Sequence, residues 1–258
     1  MSTDDRSDGT RSSADEQPAS DVRPTVVLVH GAFADSSSWN GVIRNLEGRG
    51  HHVVAVANPL RGLHADAAYV RSVLDSVAGP VVLAGHSYGG SVMSEAADGH
   101  PGVRALVYVA SFILEEGEST SDLAGRFPGA ELGAALDPVP FPLPDGGTGN
   151  DLYIRQEEFR TVFAADVPED VTALMAATQR PITSAALDEP ATRAAWRTIP
   201  SWNLVTTEDL AIPAASMRFM GERAGAHTVE ITASHAVTVS QPDAVADLIG
   251  EAARATAR

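Results

Sequence analysis

Val81-Val-Leu-Ala-Gly-His-Ser-Tyr-Gly-Gly90 runs from an apolar stretch into a glycine-flanked serine. Four consecutive apolar residues, Val81 to Ala84, predict a strand covered on both faces. Gly85 and Gly89 flank Ser87 at −2 and +2, and the chain is helix-compatible from about Gly89 to Asp98. A serine on a sharp strand-to-helix turn needs small neighbours there, because its backbone is strained and its hydroxyl is lifted above the sheet edge. The G-x-S-x-G pattern alone is common, so its position between strand and helix is what carries the reading.

The same alternation extends in both directions. Val26 to Val29, Val53 to Ala57, Ala105 to Ala110, Trp202 to Val205 and Thr228 to Ile231 read as further strands, six in all. Between them lie amphipathic stretches. Trp39, Val42, Ile43 and Leu46 share one helical face behind possible caps at Ser36 to Ser38, and Val245, Leu248 and Ile249 align in the last helix. Buried strands separated by helices of this length require right-handed crossovers, which predicts an α/β fold with a mostly parallel sheet flanked by helices. Between about 112 and 196 the rhythm breaks. That insertion is helical around Val171 to Thr178 and proline-rich from Asp137 to Pro144, and it reads as a cap on a domain spanning 26–258. The Asp137 to Asn150 stretch reads as a mobile lid or a proline-stiffened surface loop. Residues 1–25 are polar and acidic without apolar periodicity and read as a disordered leader.

Composition narrows the chemistry. All 18 basic residues are Arg, and there is no Lys and no Cys. Schiff-base chemistry, a P-loop lysine, thiolate nucleophiles, disulfides and Cys-ligated zinc are therefore excluded. No metal or organic cofactor is expected. A net charge of −16 with no basic stripe excludes a phosphate-tracking nucleic-acid binder. The longest apolar run, Ala105 to Ala110, is far short of a membrane span. The N-terminus shows no basic start followed by an apolar core, which predicts a cytoplasmic protein.

What remains is chemistry built from Ser, His, carboxylates and backbone amides, with Ser87 as nucleophile. The Tyr88 amide, at the start of the following helix, is one expected oxyanion donor. The loop His30-Gly31-Ala32-Phe33 follows the first strand and offers the Ala32 amide as the second, with His30 holding the loop rather than acting as base. His235, in the loop before the last helix, is the expected general base. His51, His52, His64, His100 and His227 read as surface or structural residues, and His86 as pointing elsewhere. Asp209 follows the Trp202 to Val205 strand and gives the chain order Ser, Asp, His, with Glu115 and Glu116 as rival acids and Glu208 pointing away. Phe112, Phe127, Phe141, Phe159, Phe163, Met175 and Trp196 are among the insertion's candidate pocket-lining residues.

With Leu28-Val-His-Gly-Ala32, Ala84-Gly-His-Ser-Tyr-Gly-Gly90, Thr207-Glu-Asp-Leu-Ala-Ile-Pro213 and Ser234-His-Ala236 in place, the chain resembles the α/β-hydrolase superfamily. It is similar to the small branch that holds plant methyl esterases, hydroxynitrile lyases and related bacterial esterases. The resemblance implies Ser87 as nucleophile, His235 as base, Asp209 as acid, and Ala32 and Tyr88 as oxyanion donors. Hydroxynitrile lyases of this kind carry Thr in the first loop and Lys after the histidine, where this chain has Gly31 and Ala236. Hydrolysis of an uncharged, apolar ester or lactone is therefore expected. The alternatives are lyase, C–C hydrolase or perhydrolase chemistry on the same residues, or a ligand-binding protein with little turnover.

Overall fold

The computed structural model describes residues 23–257. The expected leader lies outside the described residues except for its last three, and the sheet already begins at Thr25. In chain order the first half is β1 (Thr25–Val29), α1 (Asn40–Gly48), β2 (Val53–Val56), α2 (Leu63–Ser76), β3 (Val81–His86), α3 (Tyr88–Ala97) and β4 (Val103–Val109). The second half resumes with β8 (Ser201–Thr206), α8 (Ala214–Arg223), β9 (His227–Ile231), α9 (Val237–Ser240) and α10 (Pro242–Ala255). Between them stand α4 (Thr120–Ala124), β5 (Leu136–Pro142), β6 (Thr148–Ile154), α5 (Gln156–Phe163), α6 (Glu169–Thr178), β7 (Ile182–Thr183) and α7 (Ser184–Asp188).

The main sheet has six strands in the order β2-β1-β3-β4-β8-β9, and every pairing is parallel. Strands β3 and β8 are buried along their whole length, whereas the edges β2 and β9 are partly open. That gradient is what helices on both faces of a parallel sheet produce. From β1 the chain moves first to one side, forming β2, and then to the other, forming β3. The reversal opens a crevice at the carboxyl ends of β1 and β3, where ligands of open α/β sheets bind. The loop after β1 and the turn holding Ser87 both end there.

Two local readings are corrected. The first helix is not capped by Ser36 to Ser38. Asp35 accepts from the Ser37 amide at 2.7 Å and starts a short 3₁₀ turn that leads into α1. The Asp137 to Asn150 stretch is not an irregular loop but part of a β-hairpin, with β5 antiparallel to β6 from Leu136↔Ile154 to Pro142↔Thr148. Prolines are tolerated in β5 because Pro138, Pro140 and Pro142 alternate, so every missing N–H falls on the same side of the strand. That side is the open edge, since the small sheet runs β5-β6-β7. The same prolines protect the edge from further pairing.

The elbow at Ser87 is built by close approach. Ser87 has φ 54° and ψ −127°. A Cβ at Gly85 would lie 2.6 Å from the Gly89 carbonyl oxygen, and one at Gly89 would run into the Val29 carbonyl. We predict that Gly89→Ala lowers unfolding stability by about 3 kcal/mol, because backbone of β1 must shift. Gly48→Ala, at a position with open space, changes it by less than about 1 kcal/mol. Urea unfolding of both variants measures the difference, and equal stabilities would contradict this account of the elbow.

Candidate active site

Ser87 ends the turn after β3 and caps α3, with a relative exposure of 7%. Its carbonyl accepts from Ser111 Oγ at 2.6 Å and from the Gly90 amide at 3.0 Å, which holds the turn from below. A Cβ on Gly31 would lie 2.6 Å from Ser87 Cβ, so glycine at 31 is what lets the loop after β1 close against the elbow. Ala32 and Tyr88 line one cavity together with Ser87. Among the described residues, no carbonyl outside the helices accepts from either amide, whereas the neighbouring Phe33 amide donates to the Arg180 carbonyl at 3.0 Å. The Tyr88 amide also stands in the first turn of α3, where helix geometry leaves N–H groups unpaired.

His235 and Asp209 meet. His235 Nδ1 lies 2.7 Å from Asp209 Oδ2, and both side chains are buried. A carboxylate only accepts, so Nδ1 carries the proton and neutral His235 presents a bare Nε2. That atom is buried and has no partner among the described residues. Asp209 is held by four hydrogen bonds. Its Oδ1 accepts from the Ala211 and Ile212 amides at 2.8 Å each, and its Oδ2 accepts from Thr206 Oγ1 at 2.8 Å and from His235. The rival acids lie elsewhere. Glu115 is paired with Arg197 at 2.7 Å, Glu116 is exposed and donates its amide to Glu115, and Glu208 is exposed.

His86 does not point elsewhere. Its Nε2 donates to the His235 carbonyl at 2.9 Å, and its ring centroid lies 4.7 Å from that of His235. The residue before Ser87 thus holds the backbone of the loop that carries His235. Phe163, expected as pocket lining, also packs on His235 with centroids 4.8 Å apart and meets His86 edge to face at 6.4 Å, and its carbonyl accepts from the Ala236 amide at 2.9 Å. The imidazole sits in the corner that the end of β3 and the end of α5 form where His86 and Phe163 meet. No sequence period marks either contact, because both depend on where a side chain points at the end of an element. His30 is buried with Nδ1 2.9 Å from the Gly31 carbonyl oxygen, in keeping with its expected structural role.

Ser87 opens onto a cavity of about 540 Å³. Of the expected aromatic lining, Phe112 and Phe127 face it, joined by Leu132, Leu136, Leu152 and Leu187 from the inserted segment. Among the described residues Asp188 is the only charged one in the wall, and its Oδ1 accepts from Ser121 Oγ at 2.6 Å. Among the described residues no cluster of His, Asp and Glu has the geometry to hold a metal ion, and no helix is long and apolar enough to cross a membrane.

A parallel six-stranded sheet with a glycine-flanked serine at its switch point and a buried His–Asp pair beside it defines the architecture of a hydrolase. A model described as the alpha/beta hydrolase family matches residues 26–248, and the chain belongs to that family. An α/β hydrolase of Aspergillus novofumigatus is 28% identical over 254 residues, spanning 90% of this chain and 97% of its own. A pyrethroid hydrolase of Sphingobium wenxiniae is 29% identical over 259 residues, spanning 90% of this chain and 88% of its own. The solved structure of polyneuridine aldehyde esterase superposes with a TM-score of 0.76 at 21% identity, covering 89% of this chain and 99% of that one.

Two buried histidines make stability depend on pH. Burial pushes His86 down to about 3, helped by the neighbouring His235, and pushes His30 down to about 4. Above the unfolded value of roughly 6.5 both are neutral in either state and contribute nothing. As pH falls below that, only the unfolded chain takes up the protons, so each costs about 1.4 kcal/mol per pH unit until its folded value is reached. At pH 5 the pair removes about 4 kcal/mol. We predict that His86→Asn reduces the slope of unfolding free energy against pH by about one proton between pH 6 and 5, whatever its effect at pH 8. Urea unfolding across this range reads the slope, and a slope equal to that of the parent protein would contradict the assignment.

Proposed function

We propose that the protein is a serine hydrolase that cleaves an uncharged carboxylic ester or lactone through an acyl-enzyme on Ser87. The observation that carries this reading is the buried His235 Nδ1 to Asp209 Oδ2 contact of 2.7 Å, which leaves Nε2 unpartnered on a ring packed against His86, the residue before Ser87. Ser87 Oγ attacks the carbonyl carbon while its proton passes to His235 Nε2. The Ala32 and Tyr88 amides receive the charge on the carbonyl oxygen. The C–O bond to the leaving group then breaks, and the proton on Nε2 goes to the departing alkoxide. Water adds to the acyl carbon, giving its proton to Nε2. The bond to Ser87 Oγ breaks, and the proton returns to the serine. Asp209 orients the ring and stabilises its protonated form. His86 and Phe163 position the loop.

The cavity supports an uncharged, apolar substrate, because it offers no cation to pair with a carboxylate or phosphate and one carboxylate that would repel them. The names of the relatives point the same way, as one is a pyrethroid hydrolase and one structural neighbour an esterase. Lyase chemistry is disfavoured by Ala236, since a leaving cyanide would find no ammonium beside His235.

A fluorophosphonate probe tests the nucleophile. We predict one adduct per chain, found by peptide mass spectrometry on Ser87 and absent in Ser87→Ala. In Asp209→Asn the labelling rate falls by roughly a thousandfold or more, as the imidazole loses its tautomer. An adduct on another residue, or equal labelling of Ser87→Ala, would sink this reading.

A further inference from the structure

A second cavity, of about 350 Å³, lies between the segment after β1 and the outer face of α6. Its wall is amphipathic. Val171, Leu174, Met175 and Val239 supply the apolar part, while Ser38 and Asn40 lie among the polar residues opposite. Asp35, the one charged residue lining it among the described residues, is already engaged as the acceptor of the Ser37 amide. Among the described residues, Phe33 alone lines both this cavity and the one at Ser87.

Phe33 is fixed in that place. It is 4% exposed and sits at φ 60°, a region a bulky side chain occupies only when its surroundings impose it. Its amide donates to the Arg180 carbonyl at 3.0 Å, and its ring meets Phe163 edge to face at 6.3 Å. It also directly follows Ala32, so it stands beside the expected position of the reacting carbonyl. An ester bound at Ser87 has two arms. The larger cavity has room for one, and Phe33 stands in the wall shared by that cavity and the smaller one.

Resting on the ester-hydrolase reading, we propose that Phe33 is a specificity-determining partition. It limits the length of the substrate arm on its side of Ser87. The cavity behind it is a latent subsite for a longer, uncharged, mainly aliphatic arm. The polar residues on one wall would admit an ether or hydroxyl along that arm, whereas an anionic group would meet Asp35.

The test measures kcat/KM for p-nitrophenyl esters from acetate to decanoate with the parent protein, Phe33→Leu and Phe33→Ala, using fluorophosphonate labelling of Ser87 to count active sites. Two additional buried methylenes are worth roughly tenfold. The decanoate-to-acetate ratio is therefore expected to rise at least about tenfold in Phe33→Ala and by a smaller factor in Phe33→Leu, which also carries the test if the alanine variant does not fold. Adding Met175→Trp to Phe33→Ala refills the outer cavity and is expected to cancel the gain. An unchanged ratio in variants whose Ser87 still labels overturns the partition and leaves the ester reading standing. So does a gain that Met175→Trp does not affect, since the longer arm then lies elsewhere. Failure of the parent protein to turn over any ester, with no labelling at Ser87, instead strikes the ester reading itself.

Discussion

The backbone contact between the loop after β1 and the turn after β3 is the constraint on which the rest of the site depends. Ser87 stays at φ 54° because glycine at 85 and 89 leaves room for the turn to fold against itself and against the Val29 carbonyl. Gly31 then allows the Ala32 segment to reach the serine. Each of these approaches is closer than a Cβ permits, so the strain at the serine is held by packing over which no side chain has freedom. The sheet supplies the rest of the geometry. Its strand order reverses between β1 and β3, so both segments leave the same end of adjacent strands.

Around that fixed point the remaining groups are delivered by distant parts of the chain. Asp209 follows β8, His235 follows β9, and His86 ties the His235 backbone to the strand that carries the serine. The inserted segment does more than cover the cavity, since the Phe163 carbonyl and ring also hold the His235 loop. The Glu131 amide donates to the Leu210 carbonyl at 2.7 Å, beside Asp209. The inserted segment and the loops that carry Asp209 and His235 are thus tied together by backbone hydrogen bonds.

The sheet was legible in the sequence because strands buried on both faces have little choice but to be continuously apolar, as in Val26 to Val29 and Val81 to Ala84. The pairing of Asp209 with His235 was legible from their places after late strands, while Glu115 is engaged by Arg197 and Glu116 is exposed. The hairpin of β5 and β6 was not legible, because proline reads as a loop signal until the partner strand shows that alternate positions face an open edge. The contacts of His86 and Phe163 with His235 were hidden for a related reason. Apolar periodicity reports which face of an element is buried, not which loop it is buried against. Of the expected aromatic lining, Phe112 and Phe127 do face the cavity, whereas Phe159 and Phe163 are core residues, and half of the cavity wall is Leu, Ala and Gly.

Passage of a covalent acyl group through Ser87 is open to a product-partitioning measurement. Esters sharing one acyl group but differing in leaving group are hydrolysed in water containing a fixed concentration of methanol, and the ratio of methyl ester to free acid is measured for each. A common acyl-enzyme predicts one ratio for all leaving groups, because the leaving group has gone before water and methanol compete, and no product of either kind from Ser87→Ala. A ratio that follows the leaving group, or turnover that survives loss of the serine, would contradict it.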